Sequence, residues 1–265
     1  MTDDMEFGEL PPAHPAATLV LFRDRADGPP EILMVERSKG MRFAGGAIVF
    51  PGGRVDADDH VLAASLETDY ELECAAARVA AIRETIEESG IPIGVVGHTP
   101  YGWLEETRAA LHAQQPFSAL LAAGGLTLDL DALIYFARWR PKHKEARVFD
   151  TRFYIARAPA DLPAEVVDDT ENVRAFWESA SGAIALEKEG KVAIIYPTMR
   201  NLERLALFSS YDEAEAHSLS ITVQTISPHM EIRDDGRYLC IPEDAGYPVT
   251  SERLDRAVTA YGKPA

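Results

Sequence analysis

The stretch ELECAAARVAAIRETIEES, residues 71–89, constrains this chain more than any other, because as a helix it assigns opposite sides to packing and to charge. At about 100° per residue, Ala75, Val79, Ile82 and Ile86 fall on one apolar stripe, the spacing of a helix laid against a core. Glu84, Glu87 and Glu88 share the opposite face, with Glu87 and Glu88 about 60° and about 40° to either side of Glu84. Gly90 stands where a C-cap is favoured, so the helix is expected to stop there. Like charges at i and i+4 destabilise a helix, and acids near its C-terminus oppose the macrodipole. Local rules tend to be broken where function demands it, and hard oxygen ligands that bind magnesium or manganese would recover the cost. Taken alone, the same acids read more simply as a solvated helix end.

Around this helix the sequence alternates strand and helix signals. ATLVLFR (17–23) and EILMVER (31–37) are β-rich runs separated by Asp27-Gly28 and a proline pair, the pattern of a hairpin. Ala47 to Phe50 gives a short strand leading into the glycine turn of FPGG. Residues 102–124 read as two helical pieces broken at Pro116, and 131–141 and 146–159 as paired strands rich in aromatic and β-branched residues. Helices are expected at 179–188 and 198–208, a hairpin around Asp235-Gly236, and a last helix after Thr250. No linker or internal repeat divides the chain. The expectation is one mixed α/β domain over 1–265, with a core at about 16–208, a helical insertion at 92–130 and a C-terminal extension at 209–265.

Charge narrows the partners. A net charge of -17 repels a phosphate backbone and no basic stripe interrupts it, so nucleic-acid binding is not expected and an anionic substrate would need local cations. No membrane span or signal peptide is read, which makes a cytoplasmic location the expectation. Cys74 and Cys240 lie far apart, without disulfide or zinc-ligand spacing; Cys74 reads as a small helix residue.

What gives the acidic helix end chemical meaning is its company: Arg83 directly before Glu84, Gly90 two residues after Glu88, and Phe50-Pro51-Gly52-Gly53 upstream. In this combination the chain resembles the Nudix hydrolases, whose signature reads G-x5-E-x7-R-E-U-x-E-E-x-G-U with U apolar. Gly53, Arg83, Glu84, Glu87, Glu88, Gly90 and Ile91 match it, Asp59 stands where the family has Glu and Thr85 where it has an apolar residue. Residues 60–82, 23 in all, replace the usual seven. The resemblance implies a Nudix fold, an α-β-α sandwich around a mixed sheet. It also implies Mg2+ or Mn2+ held by Glu84 and Glu88, with Glu87 as a further ligand and Arg83 as an orienting ion-pair partner. The backbone at Gly52 and Gly53 would pass close to the metal.

The run LMVERSKGMRFAGGAIVFPGG (33–53) is similar to the element that marks coenzyme A diphosphatases within that group, closest to the peroxisomal acyl-CoA diphosphatase branch with its enlarged spacer. ARWRP, RVFDTRFYIA, IIYPTMRNLERL and RYLCIPEDAGYP extend the likeness over most of 16–248. It implies cleavage of coenzyme A or acyl-CoA at the pyrophosphate, with a homodimer left open. Rival readings are hydrolysis of another nucleoside diphosphate derivative, such as ADP-ribose or a dinucleotide, and a sensing module that binds a nucleotide without turnover. Arg37 and Arg42 suit substrate phosphates through bidentate guanidinium geometry, and equally suit exposed strand ends. Arg147 and Arg152 are weaker candidates, Glu171 reads as a remote ligand or a surface acid, and His143 as a solvated loop residue. Trp103 and Pro116-Phe117 would either floor an acyl pocket or fill a core.

Overall fold

The computed structural model describes residues 13–38, 46–141, 148–159, 162 and 172–254. In chain order the strands and helices begin with β1 (Ala13–Arg23), β2 (Glu31–Arg37), β3 (Ile48–Val49), β4 (Gly52–Arg54), α1 (Ala57–Ser65) and α2 (Leu72–Ser89). Then come β5 (Val95–Val96), α3 (Trp103–His112), α4 (Phe117–Gly124), β6 (Thr127–Leu128), β7 (Ile134–Trp139) and β8 (Val148–Arg157). The remainder comprises β9 (Asn172–Ser179), α5 (Ala180–Lys188), α6 (Tyr196–Leu205), α7 (Tyr211–Ser220), β10 (Thr225–Ile226), β11 (His229–Arg233), β12 (Gly236–Cys240) and β13 (Ser251–Arg253).

An eight-stranded mixed sheet runs β10-β7-β8-β1-β2-β3, with β4 also pairing β1 and β9 pairing β2. β1 and β2 form the expected hairpin, Phe22 opposite Ile32, while β1 and β8 lie parallel from Ala13↔Val148 to Phe22↔Arg157. Both faces of the sheet are covered, and alternate residues of β1 serve different layers. Leu19 and Leu21 pack with Val79, Ile82 and Ile86 of α2, whereas Val20 and Phe22 pack with Leu202, Leu205 and Tyr211 of α6 and α7. This is the α-β-α sandwich around a mixed sheet.

The predicted stripe of α2 is buried throughout, and Gly90 caps the helix at φ 72°. Burying Val79, Ile82 and Ile86 is worth about 1.5–3 kcal/mol each, against about 0.2–0.5 kcal/mol for a like-charge pair, so packing holds the acids in place. The spacer of residues 60–82 does more than lengthen a loop. It completes α1 and adds the first turns of α2, and Leu62 and Ala63 of α1 join the core around Val79. The 92–130 segment holds α3 and α4 with Pro116 at the break, closed by the β5–β6 pair.

Two boundaries move. α6 begins at Tyr196 rather than 198, because Pro197 fits a first turn where no N–H bond is needed. After Thr250 the chain first forms strand β13, paired to β12 through Cys240↔Ser251, and turns helical at Leu254; residues 255–265, where the expected last helix would run, lie outside the described residues. Within residues 209–254, Tyr211 and Ala214 enter the core and β10 extends the main sheet beside β7. No described helix is long and apolar enough to cross a membrane.

Candidate active site

At the end of α2 the acidic face meets the glycine turn. The Gly52 N–H donates to Glu88 Oε2 at 3.0 Å. A Cβ added to Gly53 would lie 2.3 Å from Glu84 Oε1, and one added to Gly52 would lie 2.5 Å from the Ala17 carbonyl oxygen. Gly52 is required because a Cβ there would meet backbone, whereas a side chain at Gly53 would have to displace the Glu84 carboxylate. The β4 backbone is thereby pressed between β1 and two carboxylates.

Arg83 organises the rest. Its Nε and Nη2 donate to Asp59 Oδ1 and Oδ2, each at 2.9 Å, Nη1 donates to Glu84 Oε1 at 2.8 Å, and Nη2 also reaches the Arg54 carbonyl at 2.9 Å. Asp59 is fully buried and accepts a further bond from the Asp56 N–H at 2.8 Å, closing a capping box at the start of α1. The Asp in the family's Glu position is thus the anchor of the arginine that holds Glu84. Burial works against the Arg83 charge, but the bonds to Asp59 and the negative charge of Glu84 outweigh it and keep the guanidinium firmly protonated.

Glu84 shows the opposite balance. Burial pushes its carboxyl up from 4.5 to about 7, with Glu87 adding to the rise and Arg83 only partly countering it. Arg83 alone therefore does not offset the burial of Glu84. Glu84 and Glu88 present hard oxygen donors beside a backbone stripped of side chains, a set that fits Mg2+ or Mn2+ and suits neither a soft metal nor an organic cofactor. The raised carboxyl carries a testable sign. Below about pH 7 a proton favours Glu84, and a cation must displace it, so affinity for Mn2+ is expected to rise with pH by up to about tenfold per unit until Glu84 is ionised. Calorimetric titration across that range checks it; affinity independent of pH would remove Glu84 from the ligand set.

A cavity of about 540 Å3 opens against this cluster. Glu84, Glu88, Gly52, Gly53, Arg37 and Arg54 line one part of it, and Phe50, Trp139, Phe149, Phe153, Ile195 and Pro197 another. Arg37, at the end of β2, lines the cavity, whereas Arg42, Arg147, His143 and Glu171 lie outside the described residues. Glu87 is not part of the cavity lining: its Oε2 is 3.7 Å from Arg83 Nη1 and its Oε1 is 3.2 Å from His112 Nδ1. Arg152 is buried on the α2 side of β8, in step with Asp150 and Tyr154, while the alternate residues Phe149, Thr151 and Phe153 line the cavity. Trp103 and Phe117 belong to the core rather than to the cavity.

Two features escaped sequence reasoning. The aromatic wall was signalled by the i, i+2, i+4 spacing of Phe149, Thr151 and Phe153, which charge alternation at Arg147 and Arg152 obscured. The insertion contributes His112 and Gln114, the latter lining the cavity with φ 58°, the one positive φ among described non-glycine residues. No local pattern announces that contact.

No family model matches the chain. A curated relative, putative nudix hydrolase 7 of Caenorhabditis elegans, is 27% identical over 192 residues, which are 70% of this chain and 59% of that protein; the chain spans less than two thirds of its length. The crystal structure of a NUDIX hydrolase from Alicyclobacillus acidocaldarius is 30% identical, with 80% of this chain and 97% of that one covered and a TM-score of 0.68. With the arginine-anchored carboxylate helix in a mixed-sheet sandwich, this likeness decides the class: the chain belongs to the Nudix hydrolase superfamily.

Proposed function

We propose that the chain is a metal-dependent pyrophosphohydrolase that splits coenzyme A or an acyl-CoA into 3',5'-ADP and 4'-phosphopantetheine or its acylated form. The observation that carries this reading is the divided cavity, in which carboxylates and Arg37 stand at one part and Trp139, Phe149 and Phe153 at another. A diphosphate attached to a long uncharged arm has the same division. The upstream element containing Arg37 and Arg42 favours coenzyme A over other diphosphates.

Glu84 and Glu88 would hold the cation, with Glu87 as a further ligand reached from the His112 side. Bound there, Mg2+ or Mn2+ neutralises the diphosphate and lowers the pKa of an attacking water. The chain's own groups do the positioning. Arg83 fixes Glu84 through a bond of 2.8 Å, the Gly52 N–H fixes Glu88, and Arg37 faces the substrate from β2. Water adds across one P–O–P linkage, and the aromatic wall keeps bulk water from the arm.

Incubation with CoA, acetyl-CoA, a long-chain acyl-CoA, ADP-ribose and a diadenosine polyphosphate, each with Mg2+ and with Mn2+, tests the reading. Chromatography is expected to show 3',5'-ADP from the CoA series as the fastest reaction. Preferential cleavage of ADP-ribose or the dinucleotide would move the assignment to that substrate, and tight nucleotide binding without any turnover would make the chain a sensor.

A further inference from the structure

We infer that the C-terminal three-stranded sheet carries a zinc site formed by His229, Glu231 and Cys240. Antiparallel pairing of β11 and β12 sets His229 directly opposite Cys240, and Glu231, two residues along β11, shares the His229 face. One donor atom from each lies within 4.8 Å of the others. His229 Nε2 and Glu231 Oε1 stand 3.2 Å apart, close to the edge of about 3.3 Å that tetrahedral zinc with nitrogen and oxygen ligands requires. A corresponding nitrogen to sulfur edge is about 3.6 Å, within reach of a small rotation of the two exposed ligands.

The chemistry differs from that of the cavity. Sulfur, imidazole nitrogen and a single carboxylate favour zinc, whereas an all-oxygen set favours magnesium or manganese. Cys240 is a free thiol only 3% exposed, so the sulfur forms a floor beneath two solvent-side ligands and leaves a fourth position for water. Arg233 is the rival cation. Its Nη2 donates to Glu231 Oε2 at 3.0 Å and to Cys240 Sγ at 3.5 Å, which leaves Oε1 on the His229 side. With zinc bound, Arg233 would remain an outer donor to the thiolate, a role of the kind that tunes metal sites.

None of the three ligands lines the cavity, and the sheet is docked by Leu239, which is buried in the core and accepts a bond from Tyr196 Oη at 3.2 Å. The site would therefore staple β11 to β12 without entering turnover. Co2+ added to the chelator-stripped full chain in Mg2+ buffer is the probe, because a sulfur-to-cobalt charge-transfer band reports the thiolate and cannot arise from the carboxylate cluster. The expected result is one such band per chain, displaced by Zn2+, lost in Cys240→Ser and His229→Ala, and retained in Cys74→Ser. Zn2+ should raise the thermal midpoint of the wild type and not of His229→Ala, a surface change that a folding defect does not explain. Absence of the band, its survival in His229→Ala, or its loss in Cys74→Ser overturns the inference and leaves Arg233 as the cation of the cluster.

Discussion

Glu88→Gln is expected to lower turnover by about 10²- to 10³-fold or more while leaving the fold unchanged. The side chain is 7% exposed, lines the cavity and accepts the Gly52 N–H, so it is held by the turn that also limits the room around Glu84. Glutamine has the same shape, and its amide oxygen can keep the Gly52 bond. What is lost is one negative charge in a cluster whose proposed task is to hold a divalent cation. Relief of repulsion with Glu84, one turn earlier, should even favour the helix by about 0.2–0.5 kcal/mol. Glu87→Gln provides the comparison, since Glu87 reaches Arg83 and His112 instead of the cavity and should cost less. Rates of hydrolysis of the preferred substrate, paired with circular dichroism, check both variants. A Glu88→Gln enzyme with wild-type turnover would mean that this carboxylate does not hold the metal.

The contrast between Glu87 and Glu88 marks where sequence reasoning ends. Helical periodicity places three acids on one face, and α2 confirms the packing stripe opposite them. Periodicity does not say which of the three meets a cavity, because that depends on α3, where His112 draws Glu87 aside. Strand signals behaved in the same manner. The β1–β2 hairpin was legible because its two strands adjoin in sequence, but the parallel pairing of Ala13 with Val148 joins segments far apart and decides that Phe149 and Phe153 form the wall. β8 is buried along most of both faces, so the alternation that would have separated Arg152 from Phe153 is weak. The tail shows a third limit. Ser251–Arg253 read as a helix start in isolation, but pairing with β12 makes them a strand and moves the helical turn to Leu254.

The largest effect on stability is expected at Asp59, which stands where the family signature has Glu. Asp59 is 0% exposed and Arg83 7%, and five hydrogen bonds converge on them: two from Arg83 to Asp59, one from the Asp56 N–H, one from Arg83 to the Arg54 carbonyl and one from Arg83 to Glu84. Asp59→Ala leaves a buried guanidinium without its bidentate partner and removes the α1 capping box, a loss of about 3–5 kcal/mol for the broken pair. Restoring the family's longer acid with Asp59→Glu should not serve as a neutral change. One extra methylene must fit a fully enclosed site fixed by the first turn of α1, with a cost of about 1–3 kcal/mol. Urea denaturation of the three proteins checks the order, wild type above Asp59→Glu above Asp59→Ala. The double replacement Asp59→Leu with Arg83→Met then separates the two duties of the pair. Removing both charges is expected to return much of the stability lost in Asp59→Ala, because the guanidinium is no longer buried without its partner. Turnover should not return with it, since Glu84 loses the 2.8 Å bond from Arg83 and its carboxyl, already raised to about 7, is left with less positive charge to hold it ionised. A double variant that regains both stability and rate would show Arg83 to be a scaffold residue alone.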